Sequence, residues 1–329
     1  MAKHYKRTKG KRRLRVALAL LLLAVAAAVY AVALNNQGRY SKVAEREAAP
    51  AEVAQLPAPE PEPPSREVIV VSADDGLPAE QPQPANDAMP ASGGGPDDGK
   101  ALLAIVIDDG GSQMNLTKRV AALDIPTTWA IIPYRPYSKE TAELAASKSV
   151  PYIVHMPMQA QADKDSETGK FIIGRGMSAA DVRAKTEKAL DSLPGAVGLN
   201  NHRGSRATES AELMRPLMEV LKSRGLVFVD SRTTGKSAAY DTALKAGVPA
   251  LQNRGFLDNS SDKAVIAKRF DELARNAQKR GALLIICHFR PSTVAFLEEL
   301  NARYKELPLR FVTVPEMLAL TDDGVPKKK

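Results

Sequence analysis

From Ala101 to about Thr321 the chain alternates short apolar runs with longer amphipathic stretches, without a break. The apolar runs at 101–107, 127–132, 151–155, 196–200, 226–230, 248–252, 282–288 and 309–314 have the length and composition of β-strands. Helical patterns lie between them at 113–123, 138–148, 178–193, 208–224, 235–246, 262–280 and 292–306. The pattern at 178–193 has a start signal in Ser178 with Asp181 three residues on, and Pro194-Gly195 ends it. Such alternation predicts a parallel sheet, because successive parallel strands need a long crossover that a helix supplies. Seven or eight units in about 220 residues suit a (β/α) barrel, with an open doubly wound sheet as the competing architecture. Neither a Gly-x-Gly-x-x-Gly loop nor a Walker motif follows the first strand, which argues against nucleotide binding.

The residues that end these strands are unusual. The first run closes on Asp108-Asp109-Gly110-Gly111, the third on His155, the fourth on Asn200-Asn201-His202-Arg203-Gly204-Ser205 and the seventh on His288. The chain has four histidines, and only His4 lies away from a strand end. In a parallel barrel all strand ends meet on one rim, so this sorting predicts a metal-centred site there. Pro133-Tyr134-Arg135, Asp230-Ser231-Arg232-Thr233 and Leu257-Asp258-Asn259 fall on the same rim; the last reads as a turn. Trp129 and Phe256 read as core residues rather than as platforms for a sugar ring.

Net charge is +8, but position explains it. Residues 1–15 carry eight Lys/Arg and no acid; the remainder holds 38 of the 46 basic residues against 38 acidic ones. No field steers the rest of the chain to a polyanion, so no nucleic-acid partner is expected. Val16 to Gln37 is uncharged and Val16–Leu34 almost wholly apolar, long enough to cross a bilayer as a helix. The expectation is a signal anchor over 16–37, with the basic tail 1–15 cytoplasmic. Everything after residue 37 then lies in the periplasm or outside the cell. The segment 38–100 reads as a disordered linker, with eleven of 23 prolines between Pro50 and Pro96. Within it, Val68-Ile-Val-Val71 has strand character and reads as an apolar spot in the linker, with a segment that adds to the sheet edge of an envelope protein partner as the alternative. A globular domain over 101–321 and a basic tail over 322–329 follow. Cys287 is the only cysteine, so no internal disulfide supports the domain. Its neighbour His288 must face the opposite way, and Cys287 is expected in the core.

Six ordered motifs carry a resemblance. Ile-Asp-Asp-Gly (107–110), His-Met-Pro-Met (155–158), Asn-Asn-His-Arg-Gly-Ser (200–205), Asp-Ser-Arg-Thr (230–233), Phe-Leu-Asp-Asn (256–259) and the His288 segment resemble the divergent branch of the polysaccharide deacetylases, relatives of the NodB-type carbohydrate esterases. The resemblance spans roughly 101–320. It implies a distorted (β/α) barrel and metal-dependent removal of acetyl groups from an N-acetylated sugar polymer. By that resemblance Asp109 is the carboxylate ligand of a divalent ion, zinc by expectation, and Asp108 the base. His155 stands where the family keeps the first histidine of a His-x-x-x-His ligand pair. Gln159 occupies the second position, so the other imidazole must come from elsewhere, and His202 is the candidate. His288 stands where the family keeps its general acid, with Asp230 as the candidate carboxylate behind its ring. Arg203, Ser205, Arg232 and Tyr134 are the candidate substrate contacts. The competing function is an inactive barrel that binds glycan or envelope proteins as a scaffold. The long polar stretch Gln159–Met177 is a candidate lid on the rim.

Overall fold

The computed structural model describes residues 99–167, 170–322 and 325–326. The predicted anchor, the N-terminal basic tail, most of the C-terminal one, nearly all of the linker and the Val68–Val71 segment lie outside the described residues. Among the described residues, no helix is long and apolar enough to cross a membrane.

Eight parallel strands form one curled sheet: β1 (Ala101–Gly110), β2 (Thr128–Ile131), β3 (Tyr152–Met158), β4 (Gly198–Arg203), β5 (Val227–Asp230), β6 (Ala250–Gln252), β7 (Ala282–His288) and β8 (Leu309–Val312). Their order is β6-β5-β4-β3-β2-β1-β7. β7 runs beside β1 from Leu102↔Ala282 to Asp108↔His288. On the other edge of β1, β8 pairs with Ala101–Ala104, below the point where β2 begins at Val106↔Thr128. The helices α1 (Met114–Val120), α2 (Ser138–Ser147), α3 (Ala179–Asp191), α4 (Ala211–Ser223), α5 (Ala239–Ala246), α6 (Lys263–Arg280) and α7 (Pro291–Asn301) connect the strands as the alternation requires. An eighth, α8 (Val314–Leu320), follows β8. The expected strand 309–314 stops short because Thr313 and Glu316 form a capping box there and a proline opens the helix.

Strand alternation builds two cores. Leu102, Ala104, Val106, Ile153, Val229, Leu284 and Ile286 fill the inside of the curl. Leu103, Ile105, Ile107, Val154, Phe228, Ile285 and Cys287 face the helices. Both faces are therefore covered, which is why these strands read as continuous apolar runs. Cys287 is buried on the helix side, as its position next to His288 requires.

A regular closed barrel does not form. β6 is three residues long, and β7 pairs instead with the irregular segment that follows it. Arg254 N donates to Leu284 O, Ile286 N to Gly255 O and Leu257 N to Ile286 O. The break has a local cause: Asn253 Oδ1 accepts from Gly255 N at 2.9 Å, an Asx turn that ends the strand. A Cβ on Gly255 would lie 2.5 Å from Leu273 Cδ2, so a side chain in this bend would have to push the end of Leu273 aside.

β4 and β5 approach so closely at Gly198 that an added Cβ would lie 2.5 Å from the Val227 carbonyl oxygen. Gly198→Ala is expected to cost roughly 1–3 kcal/mol, read as a lower urea midpoint at unchanged m-value. A midpoint equal to wild type would contradict this strand spacing.

Candidate metal centre

The inner face of each strand leads to one pocket. Val106 inside the curl puts Asp108 inside two residues on, Ile153 does the same for His155, and Ile286 for His288. In register, Asp108 lies beside His288, and His155 beside Asn200. By the same alternation Asp109 would turn away. It does not, because the β1–β2 register shifts between Ile107 and Gly110 and Asp109 takes a left-handed backbone, φ 68°. This bulge points two successive carboxylates at one pocket. Tyr134, Arg203 and Arg232, each just past or at a strand end, also have positive φ, so the strain gathers on this rim.

Three donor atoms form a tight triangle. Asp109 Oδ1 lies 3.3 Å from His155 Nε2 and 3.0 Å from His202 Nδ1. The two nitrogens are 3.0 Å apart. Two ligands of one tetrahedral ion, each about 2.1 Å from it, stand about 3.4 Å apart. Asp109 Oδ1 is buried and neither ring meets it with hydrogen-bond geometry. A buried carboxylate oxygen without a donor is costly, and a cation between the three atoms would resolve it. Asp108 and His155 are almost fully buried, whereas His202 and Asp109 reach solvent. The triangle is thus open on one side.

Asn200, fully buried, fixes the orientation of both neighbours. Its Nδ2 donates to Asp108 Oδ1 at 2.9 Å and faces Ser231 Oγ at 3.2 Å. Its Oδ1 therefore faces His155 Nδ1 at 2.8 Å and must accept from it. With the proton on Nδ1, the neutral His155 ring offers its Nε2 lone pair to the triangle.

His288 forms a second centre across Asp108. The carboxylate behind its ring is Asp258, not Asp230: Nδ1 meets Asp258 Oδ1 at 2.8 Å, and His288 N donates to Asp258 Oδ2 at 2.9 Å. Thr293 Oγ1 donates to Oδ2 as well. Asp230 instead accepts from Arg232 N, Ser237 Oγ and Tyr240 N, closing its own loop. Asp258 had read as a turn residue.

The charges divide accordingly. Burial pushes the Asp108 carboxyl up, and the nearby imidazoles of His155 and His288 only partly offset this. Burial acts the same way on Asp109, but His155 and His202 more than reverse it and hold that carboxyl well below its usual range. Burial lowers His202; in His155 the same effect is overcome by Asp108 and Asp109, which raise it. Burial opposes the charged form of His288, yet Asp258 pushes it up to about 9.

The four expected substrate contacts each have a partner within the protein. Arg203 pairs with buried Asp163 at 2.7 Å, and Ser205 Oγ accepts from Gln161 N. Arg232 donates to the carbonyls of Gly235 and Ser237. The Tyr134 hydroxyl lies beside Ser192 and Asp191. Gln159, at the position of the missing histidine, is fully buried and serves the following loop. Its side chain accepts from Arg175 N and donates to Asp165, and its carbonyl accepts from Arg206 N and Ala207 N. Phe171 and Ile173 are buried too, whereas Gln161, Ala162, Lys164, Asp165 and Arg175 are exposed, so the expected lid is pinned at a few residues and open to solvent between them.

The family model for divergent polysaccharide deacetylases matches residues 105–318. An uncharacterized protein of Haemophilus influenzae is 38% identical over 199 residues, which cover 60% of this chain and 70% of that protein. The uncharacterized Escherichia coli protein YibQ is 31% identical over 198 residues, 60% of this chain and 61% of YibQ. Among solved structures, an uncharacterized protein from Agrobacterium tumefaciens superposes with a TM-score of 0.62 at 18% identity, over 68% of this chain and 89% of that one, which shows a shared fold.

In metal-free protein the His288 ring should titrate near 9, against 6.5 for a free imidazole. A folded value above the unfolded one means the contribution, about 3 kcal/mol, is complete below the unfolded value and fades as pH rises through the folded one. Asp258→Asn should return the ring to 6.5 or lower in an NMR titration and remove that pH-dependent stability. An unchanged titration in the variant would show that Asp258 does not hold the ring's charge.

Proposed function

The chain belongs to the divergent polysaccharide deacetylase family, and on that premise we propose that its acid–histidine pocket is a metal-dependent centre that removes acetyl groups from an N-acetylated cell-envelope glycan. The observation that carries the reading is the triangle of Asp109 Oδ1, His155 Nε2 and His202 Nδ1, with its buried oxygen lacking a hydrogen-bond donor. One carboxylate and two imidazoles suit a divalent ion of intermediate softness, zinc above all. When bound, such an ion polarises the amide carbonyl and makes water a nucleophile at neutral pH.

The chain's own groups supply the proton transfers. Asp108 has its oxygen Oδ1 fixed by Asn200, and its Oδ2, 3.5 Å from His155 Nε2, would accept a proton from the attacking water. Its raised proton affinity suits that task. His288 lies on the adjacent strand at the same level and is protonated near neutral pH. It can give its Nε2 proton to the departing amine, while Asp258 holds Nδ1 and stabilises the ring's charge. One water is consumed, one C–N bond breaks, and a free amine and acetate leave.

In the same reading Val16–Leu34 anchors the chain in the cytoplasmic membrane and 38–100 tethers the domain at a distance from it, where a polymeric glycan is reachable. Asp108→Asn should keep the bound metal and lower acetate release from N-acetylated glucosamine oligomers by about 10²–10⁴-fold. A variant as active as wild type would remove Asp108 as the base. Absence of acetate release from the metal-loaded wild type on every acetylated glycan tried would favour a binding role for the domain.

A further inference from the structure

A single amide touches both the proposed base and a proposed ligand. Asn200 is fully buried on β4, in register with His155 on β3. Its Nδ2 can only donate and its Oδ1 can only accept. Nδ2 gives one hydrogen to Asp108 Oδ1 at 2.9 Å and faces Ser231 Oγ at 3.2 Å with the other. Oδ1 is left for His155 Nδ1 at 2.8 Å. Asp108, His155 and Ser231 are buried as well, so bulk water does not compete for these bonds.

The direction of the amide is decided at Asp108. An ionised carboxylate accepts and cannot donate, whereas the Ser231 hydroxyl can do either. Turning the amide over would set Oδ1 against that carboxylate, two buried acceptors facing each other without a hydrogen between them. It would also aim Nδ2 at His155 Nδ1, which would then have to accept. The ring proton would move to Nε2, the nitrogen that faces the triangle, and would block a metal ion there. Asp108 Oδ2 and Asp109 Oδ1 do draw a proton towards Nε2, but from 3.5 and 3.3 Å, outside good hydrogen-bond distance, against 2.8 Å at Nδ1.

We propose that Asn200 is a positioning residue through which Asp108 selects the His155 tautomer that presents the Nε2 lone pair, so that base and ligand depend on one amide. The inference rests on the metal-centre reading for its purpose, but the tautomer can be measured without metal. The test uses the full-length protein with isotope-labelled histidine. In the metal-free wild type, at a pH that leaves the ring neutral, the ring nitrogen resonances should place the His155 proton on Nδ1. Asn200→Ala should move it to Nε2 and weaken zinc binding, measured by chelator competition, by about 10–100-fold. Asn200→Asp, almost unchanged in size, can still accept from Nδ1 but its carboxylate cannot donate to Asp108. It should keep the wild-type tautomer and bind zinc like wild type, while acetate release from N-acetylated glucosamine oligomers falls about 10²-fold or more. A merely structural asparagine would not divide the two functions in this way. A wild-type proton on Nε2, zinc bound as tightly by Asn200→Ala, or loss of zinc in Asn200→Asp would overturn the proposal. A wild type that shows the Nδ1 tautomer yet takes up no zinc would support the tautomer selection and overturn the metal-centre reading instead.

Discussion

A carboxylate oxygen buried between two imidazole nitrogens is the constraint around which this domain is arranged. Asp109 Oδ1 has His155 Nε2 and His202 Nδ1 within 3.3 Å and no hydrogen-bond donor. Protons alone satisfy such a cluster poorly. Asn200 Oδ1 already accepts a hydrogen bond from Nδ1–H of His155, so a neutral ring can only present a lone pair to the oxygen. The cluster must either hold an imidazolium or hold a metal cation; Asp108 and Asp109 raise the proton affinity of His155, which favours the first where no metal is bound. Metal uptake on the proposed reading would displace that proton, so affinity should rise with pH.

The fold reaches this arrangement through two departures from regularity. The first is the bulge at the end of β1, which lets neighbouring acids act together while their strand keeps one face on each core. The second is the premature end of β6. Because the chain from Arg254 to Leu257 pairs with β7, Asp258 arrives beside His288 rather than passing it. A regular sixth strand would have continued away from β7. The irregular join between the sheet's two ends thus delivers the carboxylate that charges the second histidine.

Much of this was legible in the sequence, because strands and strand ends are local features. Period-two burial on both faces produced apolar runs whose bounds agree closely with β1 to β8, and polar residues following them had to share a rim. That logic put Asp108, Asp109, His155, His202 and His288 on one rim, and the structure brings their side chains together. It failed where a side chain's role depends on reach across the fold. Asp230 ends a strand as the others do, yet its carboxylate folds back on backbone donors within ten residues. Asp258 sits in no strand and meets a partner thirty residues away. Asn200 stood in a motif beside His202, but its bridge between Asp108 and His155 depends on three strands lying in register. Likewise Arg203, Arg232, Ser205 and Tyr134 looked free to meet a ligand, and only the folded rim reveals the partners they already have.

The central claim concerns which side chains hold the metal, and in particular that His202 replaces the histidine missing at position 159. The most direct measurement is metal bound per chain, by elemental analysis after reconstitution, in wild type, His202→Ala and Gln159→Ala. About one ion per chain in the wild type and in Gln159→Ala, with loss in His202→Ala, is the predicted result. Full metal content in His202→Ala, or loss confined to Gln159→Ala, would contradict it.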